Sequence, residues 1–552
     1  GYVELATIDA LERVRSQGRQ VILVTGRRLE ELQAVFPRLE LFDRVVAEDG
    51  AVVYSPSTRE VRLLAAPPPA GLVAAMQAKG VEPIATGQVI IATWRPHEMS
   101  TLAAIRELGL EHHVVFNKGA VMVLPPGIDK ASGLAAALAE LGLSPHNVVV
   151  IGDAENDQAM LGMAECAVAV ANALPTLQAH ADLVTEGDHG AGVTELIEQL
   201  LADDLARLEP RLRRHEIVLG RATSGEVVTL PPYGLNVLVA GPSGCGKSTF
   251  ATGLLERFAD RGYQFCLVDP EGDYEDFANA IVLGDPQRPP LVGEVLRLLG
   301  NPNQSVVVNL LGLPNPDRPA YFAGLLTELE LLRARVGRPH WIAVDEAHYQ
   351  LPVGWNPAAA SLPAALQGIV LITVHPAHLA RPVLEHVDVV VAVGDEPEET
   401  IDAFASAVEA PSPALTSLPG DGCETVVWRR PSSRAVGVQP IPPRAVHRRH
   451  QRKYARGEIA PWHSFYFRGP HGQFNLRAQN LAIFLQIAEG IDDETWLYHL
   501  NGGDYARWFR DVIKDEELAR EAERIASDPH LSALESRSGI QSAIEHRYTL
   551  PA

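Results

Sequence analysis

The sequence predicts an α/β protein in three parts: an open parallel sheet carrying an insertion, a second parallel sheet that binds nucleotide, and a small, mainly α module. Two observations carry this prediction. Residues 241–249 read Gly241-Pro-Ser243-Gly244-Cys245-Gly246-Lys247-Ser248-Thr249, between an apolar strand (235–240) and a helical pattern (250–261). Over the first 200 residues, apolar runs alternate with helical ones, and two runs end in polar turns: Gln20-Val-Ile-Leu-Val-Thr25-Gly26-Arg27 and Asn147-Val-Val-Val-Ile-Gly-Asp153-Ala-Glu-Asn156-Asp157. Parallel strands joined by crossover helices gather their chemistry at carboxyl ends, where Thr25, Asp153 and Asp157 fall.

The segment 241–249 fits G-x-x-x-x-G-K-[ST], a P-loop. Gly241, Gly244 and Gly246 let the backbone turn tightly and aim N–H groups at phosphate oxygens, with Ser243, Cys245 and Thr249 completing the nucleotide-binding cradle. Lys247 is placed to reach the β- and γ-phosphates of ATP, and Ser248 to hold Mg²⁺. About a hundred residues on, Trp341-Ile-Ala-Val-Asp345-Glu346 is an apolar strand ending in two acids. Asp345 then binds Mg²⁺ and Glu346 polarises the attacking water.

At 552 residues the chain has room for three to four domains of about 150 residues each. The apolar fraction of 46% supports sizeable cores, and the net charge of −22 argues against nucleic acid coating the whole surface. Cys166, Cys245, Cys266 and Cys423 have neither metal-like nor disulfide-like spacing. With no long uncharged apolar run and no leader peptide, a reducing cytoplasm is expected.

Residues 1–200 resemble the haloacid dehalogenase-like phosphatases, in particular the Cof-type branch with a large inserted cap, which includes sugar and phosphoglycolate phosphatases. The resemblance rests on Thr25-Gly26-Arg27, on Ile128-Asp129-Lys130 leading into a helix, and on Gly152-Asp153-Ala-Glu-Asn156-Asp157, in that order. It implies a Rossmann-like fold with the cap near 60–125. It also implies that Thr25, Gly26, Lys130 and Asn156 bind phosphate, with Thr25 and Lys130 acting catalytically, and that Asp153 and Asp157 hold Mg²⁺. The implied substrate is a small phosphorylated molecule. Trp94, Arg95, His97, His112, His113 and Lys118 are the cap's candidate contacts, most of them expected to be ordinary surface or cap-core residues.

One departure matters. The family's nucleophile is an Asp in a DxDGT segment on the first strand, and no such segment occurs in these 552 residues. Either this segment lies upstream of Gly1, which is the preferred expectation, or the domain has lost catalysis; in both cases the chain as it stands is expected to lack phosphatase activity. Glu48-Asp49-Gly50 is a smaller departure, since the family more often has Asn before Gly.

Residues 205–435 show strand patterns at 235–240, 264–269, 305–310, 341–345, 369–373 and 387–393, consistent with a RecA-like parallel sheet. A strand between the P-loop strand and the Asp345-Glu346 strand, together with Asp269-Pro-Glu-Gly-Asp273-Tyr274, resembles the HerA–FtsK ring translocases. That resemblance implies a homo-hexamer with ATP at subunit boundaries and, as an alternative function, DNA translocation. Thr373-Val-His375-Pro replaces the usual Thr-Gln sensor. Arg333, Arg335, Arg338 and Arg381 are candidate arginine fingers, each more naturally a surface ion-pairing residue.

Residues 436–459 read as a basic linker containing Arg448, Arg449, Arg452, Lys453 and Arg456. This run is a solvated strap or, in the sharper reading, a nucleic-acid-binding arm. Residues 460–552 read as a helical module with an amphipathic helix over 475–489 and a core around Trp496, His499, Trp508 and Phe509. The expected whole is an Mg²⁺-dependent ATPase fused to a phosphatase domain that it regulates, with no membrane segment.

Overall fold

The computed structural model describes residues 3–547, apart from 209–211, 213, 243–244, 275–276, 286, 356–366, 395, 417–423, 445–458, 460–463, 514 and 529. Ser243, Gly244, Cys423 and the basic run at 448–456 therefore lie outside the described residues. Among those that are described, no helix is long and apolar enough to cross a membrane.

The N-terminal part holds two half-sheets. β1 (Ile22–Val24) pairs in parallel with β2 (Arg44–Ala47), and β3 (Val52–Ser55) and β4 (Glu60–Leu63) follow antiparallel, giving the order β1-β2-β3-β4. A separate antiparallel sheet, β5 (Ala85–Thr86), β6 (Ile91–Trp94), β7 (His113–Asn117) and β8 (Ala120–Leu124), has the order β5-β6-β8-β7. Helices Ala70–Ala78 and Glu98–Glu107 cover it and bury Leu72, Met76, Ala104 and Ile105. This is the inserted cap. It begins later than the expected residue 60, because β4 bonds to β3 and extends the core sheet instead. The second half-sheet, β9 (Val149–Gly152), β10 (Cys166–Ala169) and β11 (Leu183–Val184), is parallel with β10 central.

Among the described residues, β1 and β9 are thus both edge strands, each with one side unpaired in the sheet. Ile22 and Val24 from β1 and Val150 and Ile151 from β9 nevertheless pack in one cluster, against Leu134 and Leu138 of helix Lys130–Leu141. β1 is only half-buried along its length. An apolar strand edge left open in this way is a template for one more strand.

The middle part is one twelve-stranded sheet. β12 (Ile217–Ala222) and β13 (Val227–Leu230) form a hairpin. β14 (Asn236–Ala240), β15 (Phe265–Asp269), β16 (Ala280–Leu283), β17 (Ser305–Asn309), β18 (Trp341–Val344), β19 (Ile369–Thr373) and β20 (Val389–Gly394) form a parallel block in the order β16-β17-β15-β18-β19-β14-β20. The central strands are apolar but for Asn236 and Thr373 and are buried along their whole length, as parallel sheets between helices require. β22 (Glu424–Arg429) and β23 (Arg434–Pro440) then join the β12–β13 hairpin to β20, with β22 antiparallel to β20 and β23 and β23 antiparallel to β12, while β21 (Ala414–Thr416) pairs with β23 in parallel.

The last part pairs β24 (Phe465–Phe467) with β25 (Leu476–Ala478) and adds helices Leu481–Gly490, Asp493–Asn501, Asp504–Asp511, Glu516–Ala526 and Ala533–Arg547. The helix expected from residue 475 starts six residues later, at Leu481. Asn480 caps it, its side chain accepting from Ile483 N at 2.8 Å, so Leu476 stays on a strand. Trp496, His499, Trp508 and Phe509 are buried in this core as expected.

The first two parts touch directly. The Arg338 guanidinium, 1% exposed, donates to Gln264 Oε1 and Leu299 O, each at 2.9 Å, and to Gly142 O across the junction. Arg333 likewise serves backbone carbonyls, those of Pro339, Gln367, His340 and Gly368. Arg333 also pairs with Glu330 at 2.9 Å, so the ion pairing expected of it is present although its side chain is mostly buried. For Arg338 the expectation is corrected, because the carbonyls around it need a donor. Arg381 does pair at the surface, with Glu385 and Glu409, and Arg335 is exposed.

Candidate functional site

Strand ends and one helix build the N-terminal site. Thr25 follows β1, its N–H bonded to Val46 O at 2.8 Å, and its hydroxyl accepts from Arg27 N at 3.2 Å. Gly26 comes next, where a Cβ would stand 3.0 Å from Asp49 Oδ1. Lys130 opens its helix behind Asp129, whose carboxylate accepts from Ser132 N while the Ser132 hydroxyl bonds back. That capping box aims Lys130 inward, where its ammonium meets Asp157 Oδ1 at 2.6 Å with both side chains buried. The other Asp157 oxygen accepts from Asp153 N at 2.9 Å and Ala154 N at 3.0 Å. Asn156 Nδ2 donates to Asp49 Oδ1 at 2.7 Å.

The structure thus brings Lys130, Asp153, Asn156 and Asp157 together at the carboxyl end of β9, and Thr25 and Gly26 at the carboxyl end of β1. A cleft of about 440 Å³ lies beside them, lined in part by Asp49, Lys130, Asn156 and His113. Sequence reading passed over Asp49 as a family departure. It is 1% exposed, and burial first of all raises its carboxyl pKa, against the lowering effect of Lys130 and Asn156. Positive φ at Glu48, Asp49 and Gly50 marks the turn. A Cβ at Gly50 would lie 1.8 Å from Asp129 O, so only glycine lets this turn touch the lysine's helix cap.

The cap contributes one direct contact. Lys118, in the turn between β7 and β8, pairs with Asp153 Oδ2. Of the other cap candidates, His113 lines the cleft. Arg95 stacks over Phe116 at 4.9 Å, Trp94 is 55% exposed, and burial lowers the His112 pKa. Glu48 ties core to cap by a different route, accepting from the N–H groups of Gln88, Val89 and Ile90.

A divalent cation fits this donor set. Asp49 Oδ2 and Asn156 Oδ1 are buried oxygens with no hydrogen-bond partner, and they sit beside Asp157 and Asp153, whose charges lysines now balance. Hard oxygen donors of this kind suit Mg²⁺.

In the middle part, the glycine-rich loop that starts at Gly241 follows β14. Gly241 has φ +153°, and a Cβ there would meet Val393 O at 1.9 Å; Gly246 has φ +96° and precedes helix Lys247–Asp260. Lys247 Nζ donates to Pro242 O at 2.8 Å, and Cys245 Sγ donates to Val393 O at 2.8 Å, which pins the loop to β20. Ser248 and Thr249 occupy the first turn of the helix. β19 separates β14 from β18, so Asp345 ends up at the same sheet edge as the loop, at roughly two strand spacings or about 10 Å.

Asp345 Oδ1 accepts from Glu346 N at 3.0 Å. Glu346 has φ +39° and points a mostly buried carboxylate to within 3.6 Å of His348 Nδ1. His348 reaches the Thr373 hydroxyl at 3.3 Å, linking the acid to the end of β19, and His375 caps the turn after it. Asp269, at the end of β15, accepts N–H bonds from Glu271, Gly272, Asp273 and Tyr274. Burial, then Asp273 and Asp345, raise its pKa to about 7 despite those amides. The Asp-Pro-Glu-Gly-Asp-Tyr segment is therefore a turn wrapped around one carboxylate.

Comparison with known proteins bears on the N-terminal part. A family model described as haloacid dehalogenase-like hydrolase matches residues 1–64 and 113–197, leaving out most of the cap. The chain is 33% identical over 207 residues to a phosphoglycolate phosphatase of Methanothermobacter thermautotrophicus, covering 36% of this chain and 91% of that one. It is 34% identical over 192 residues to a phosphoglycolate phosphatase of Haloarcula marismortui, covering 33% and 85%. A solved haloacid dehalogenase-like hydrolase from Bacteroides thetaiotaomicron aligns at 18% identity with a TM-score of 0.32, over 36% of this chain and 92% of that one. Through its first 200 residues the chain belongs to the haloacid dehalogenase-like hydrolases.

Proposed function

We propose that the N-terminal part is an Mg²⁺-dependent phosphomonoesterase for a small phosphorylated acid of the phosphoglycolate kind, and that the middle part binds and hydrolyses ATP to regulate it. The observation that carries the first half is the buried Lys130–Asp157 pair, whose lysine lines the cleft together with Asn156 and Asp49. In this reading the Thr25 hydroxyl and Gly26 N–H hold phosphate oxygens, Lys130 offsets charge as the phosphoryl group is transferred, and Asn156 orients it. Asp153 and Asp157 would hold Mg²⁺, which supplies positive charge next to the phosphoryl oxygens. The unpaired edges of β1 and β9 support a further strand between them, bearing the nucleophilic carboxylate.

For the ATPase half, the support is the P-loop's placement across β19 from Asp345 and Glu346. A single helix runs from Lys247 at the loop to Asp260, and its C-cap residue Arg261 touches the N-terminal part through His146. Nucleotide occupancy at one end of this helix can therefore be felt at the other. The sheet order also favours a second reading, a hexameric HerA–FtsK-like translocase, for which a ring would be required. Solution mass with and without ATP separates the two: regulation needs no ring. The phosphatase half is tested by Mg²⁺-dependent phosphate release from 2-phosphoglycolate by a protein that carries an Asp-x-Asp strand ahead of Gly1.

A further inference from the structure

At the junction of the first two parts stands a group of side chains that neither phosphate site uses. His146 lies in the turn before β9, Glu165 just before β10, and His215 on the segment leading to β12. One donor atom from each lies within 4.8 Å of the others. The middle part roofs the group. Tyr263 stacks on His146 with ring centroids 3.8 Å apart, and its hydroxyl donates to Glu165 Oε2 at 2.9 Å and Oε1 at 3.2 Å. His340 abuts His146 edge-on at 5.7 Å, its Nδ1 engaged by Gln264 N. Arg214 is turned away to the carbonyls of Leu161 and His180 and to Asp182.

Hydrogen-bond bookkeeping fixes where the imidazole protons sit. A backbone carbonyl can only accept, so His146 Nε2, 2.6 Å from Arg261 O, carries a proton. His215 Nε2, 3.2 Å from Ala164 O, carries one as well. In the neutral ring His146 Nδ1 is then a lone pair, facing Glu165 Oε2 at only 2.6 Å, with both side chains about a tenth exposed. Two lone pairs at that distance repel, so a positive species, a proton or a metal ion, must sit between or beside them. Metal-bound histidines characteristically donate their second ring N–H to a backbone carbonyl, and both of these do.

We infer that His146, Glu165 and His215 form a transition-metal site, suited to Zn²⁺, that clasps the phosphatase part to the ATPase part. Two imidazoles and one carboxylate are a borderline-soft donor set that selects Zn²⁺ over Mg²⁺, and three protein ligands leave a fourth position for water. The outer partners, Arg261 O and the Tyr263 hydroxyl, come from the ATPase part, so metal affinity and docking of the two parts are linked.

The test uses the tag-free full chain, stripped with a chelator and titrated with Co²⁺ in the presence of excess Mg²⁺. The expected result is one equivalent of Co²⁺ with a visible absorption band, displaced by Zn²⁺ and lost in His215→Asn, which changes a half-exposed residue on the connecting segment. Tyr263→Phe keeps all three ligands and should weaken binding by roughly 10–100-fold. Circular dichroism confirms that each variant is folded. If the unaltered chain takes up no more Co²⁺ than folded His215→Asn, the inference is overturned and a proton holds the His146–Glu165 contact.

Discussion

Replacing Lys130 with Met tests the phosphate site through its energetics, without needing turnover. The ammonium lies 2.6 Å from Asp157 Oδ1, with side-chain exposures of 7% and 6%. Removing it leaves a buried carboxylate held only by the N–H groups of Asp153 and Ala154. Breaking a buried pair from one side typically costs about 3–5 kcal/mol, because the remaining charge is uncompensated. For a unit of some 200 residues this lowers Tm by roughly 6–12 °C at the lower end of that cost. The double variant Lys130→Met/Asp157→Asn removes the orphaned charge and should regain about half of the loss, a coupling of ~2 kcal/mol. Thermal unfolding followed by circular dichroism measures the unaltered chain, Lys130→Met, Asp157→Asn and the double variant. A Lys130→Met protein melting with the unaltered chain, or single effects that simply add, would refute the reasoning.

Three further outcomes follow from the middle part. Lys247→Ala should weaken ATP binding at least ~100-fold in equilibrium titration, because a charge-assisted contact beside the triphosphate is lost. Glu346→Gln should bind ATP as before but slow its hydrolysis by roughly 10²-fold or more in a phosphate-release assay, since an amide cannot take water's proton. Asp269 has a folded-state pKa of about 7, raised above its unfolded value, so the folded state binds the extra proton. Stability from this group is therefore present at acid pH and lost as pH rises from about 4 to about 7. Denaturant unfolding should show that slope, and Asp269→Asn should flatten it.

How much of this was legible in the sequence depended on whether the signal was local. The runs ending in Thr25, Asp153, Ala240 and Val344 are apolar on both faces and end in turns, so their strands could be placed to within a residue or two. β12, β13, β22 and β23 went unread, because short alternating runs such as Ile217–Ala222 take their meaning from distant partners. β4 falls at the expected start of the cap, its four residues are exposed, and only its pairing with β3 assigns it to the core. The order of Thr25, Lys130, Asp153 and Asp157 indicated the phosphate site. The burial of Asp49 and the reach of Lys118 to Asp153 are products of tertiary closure. Buried Arg338 could not be told from a surface arginine, since the carbonyls it serves come from segments far apart in sequence.

The central claim is that the cleft beside Lys130 and Asp157 is built for phosphate-ester hydrolysis once a carboxylate-bearing strand occupies the space between β1 and β9. The measurement that tests it most directly is phosphate release from 2-phosphoglycolate by a protein with an Asp-x-Asp strand placed ahead of Gly1, assayed with and without Mg²⁺ beside its Asp153→Asn counterpart. The account predicts turnover that requires Mg²⁺ and disappears in Asp153→Asn. Turnover indifferent to Asp153, or none at all from a folded protein carrying that strand, would contradict it.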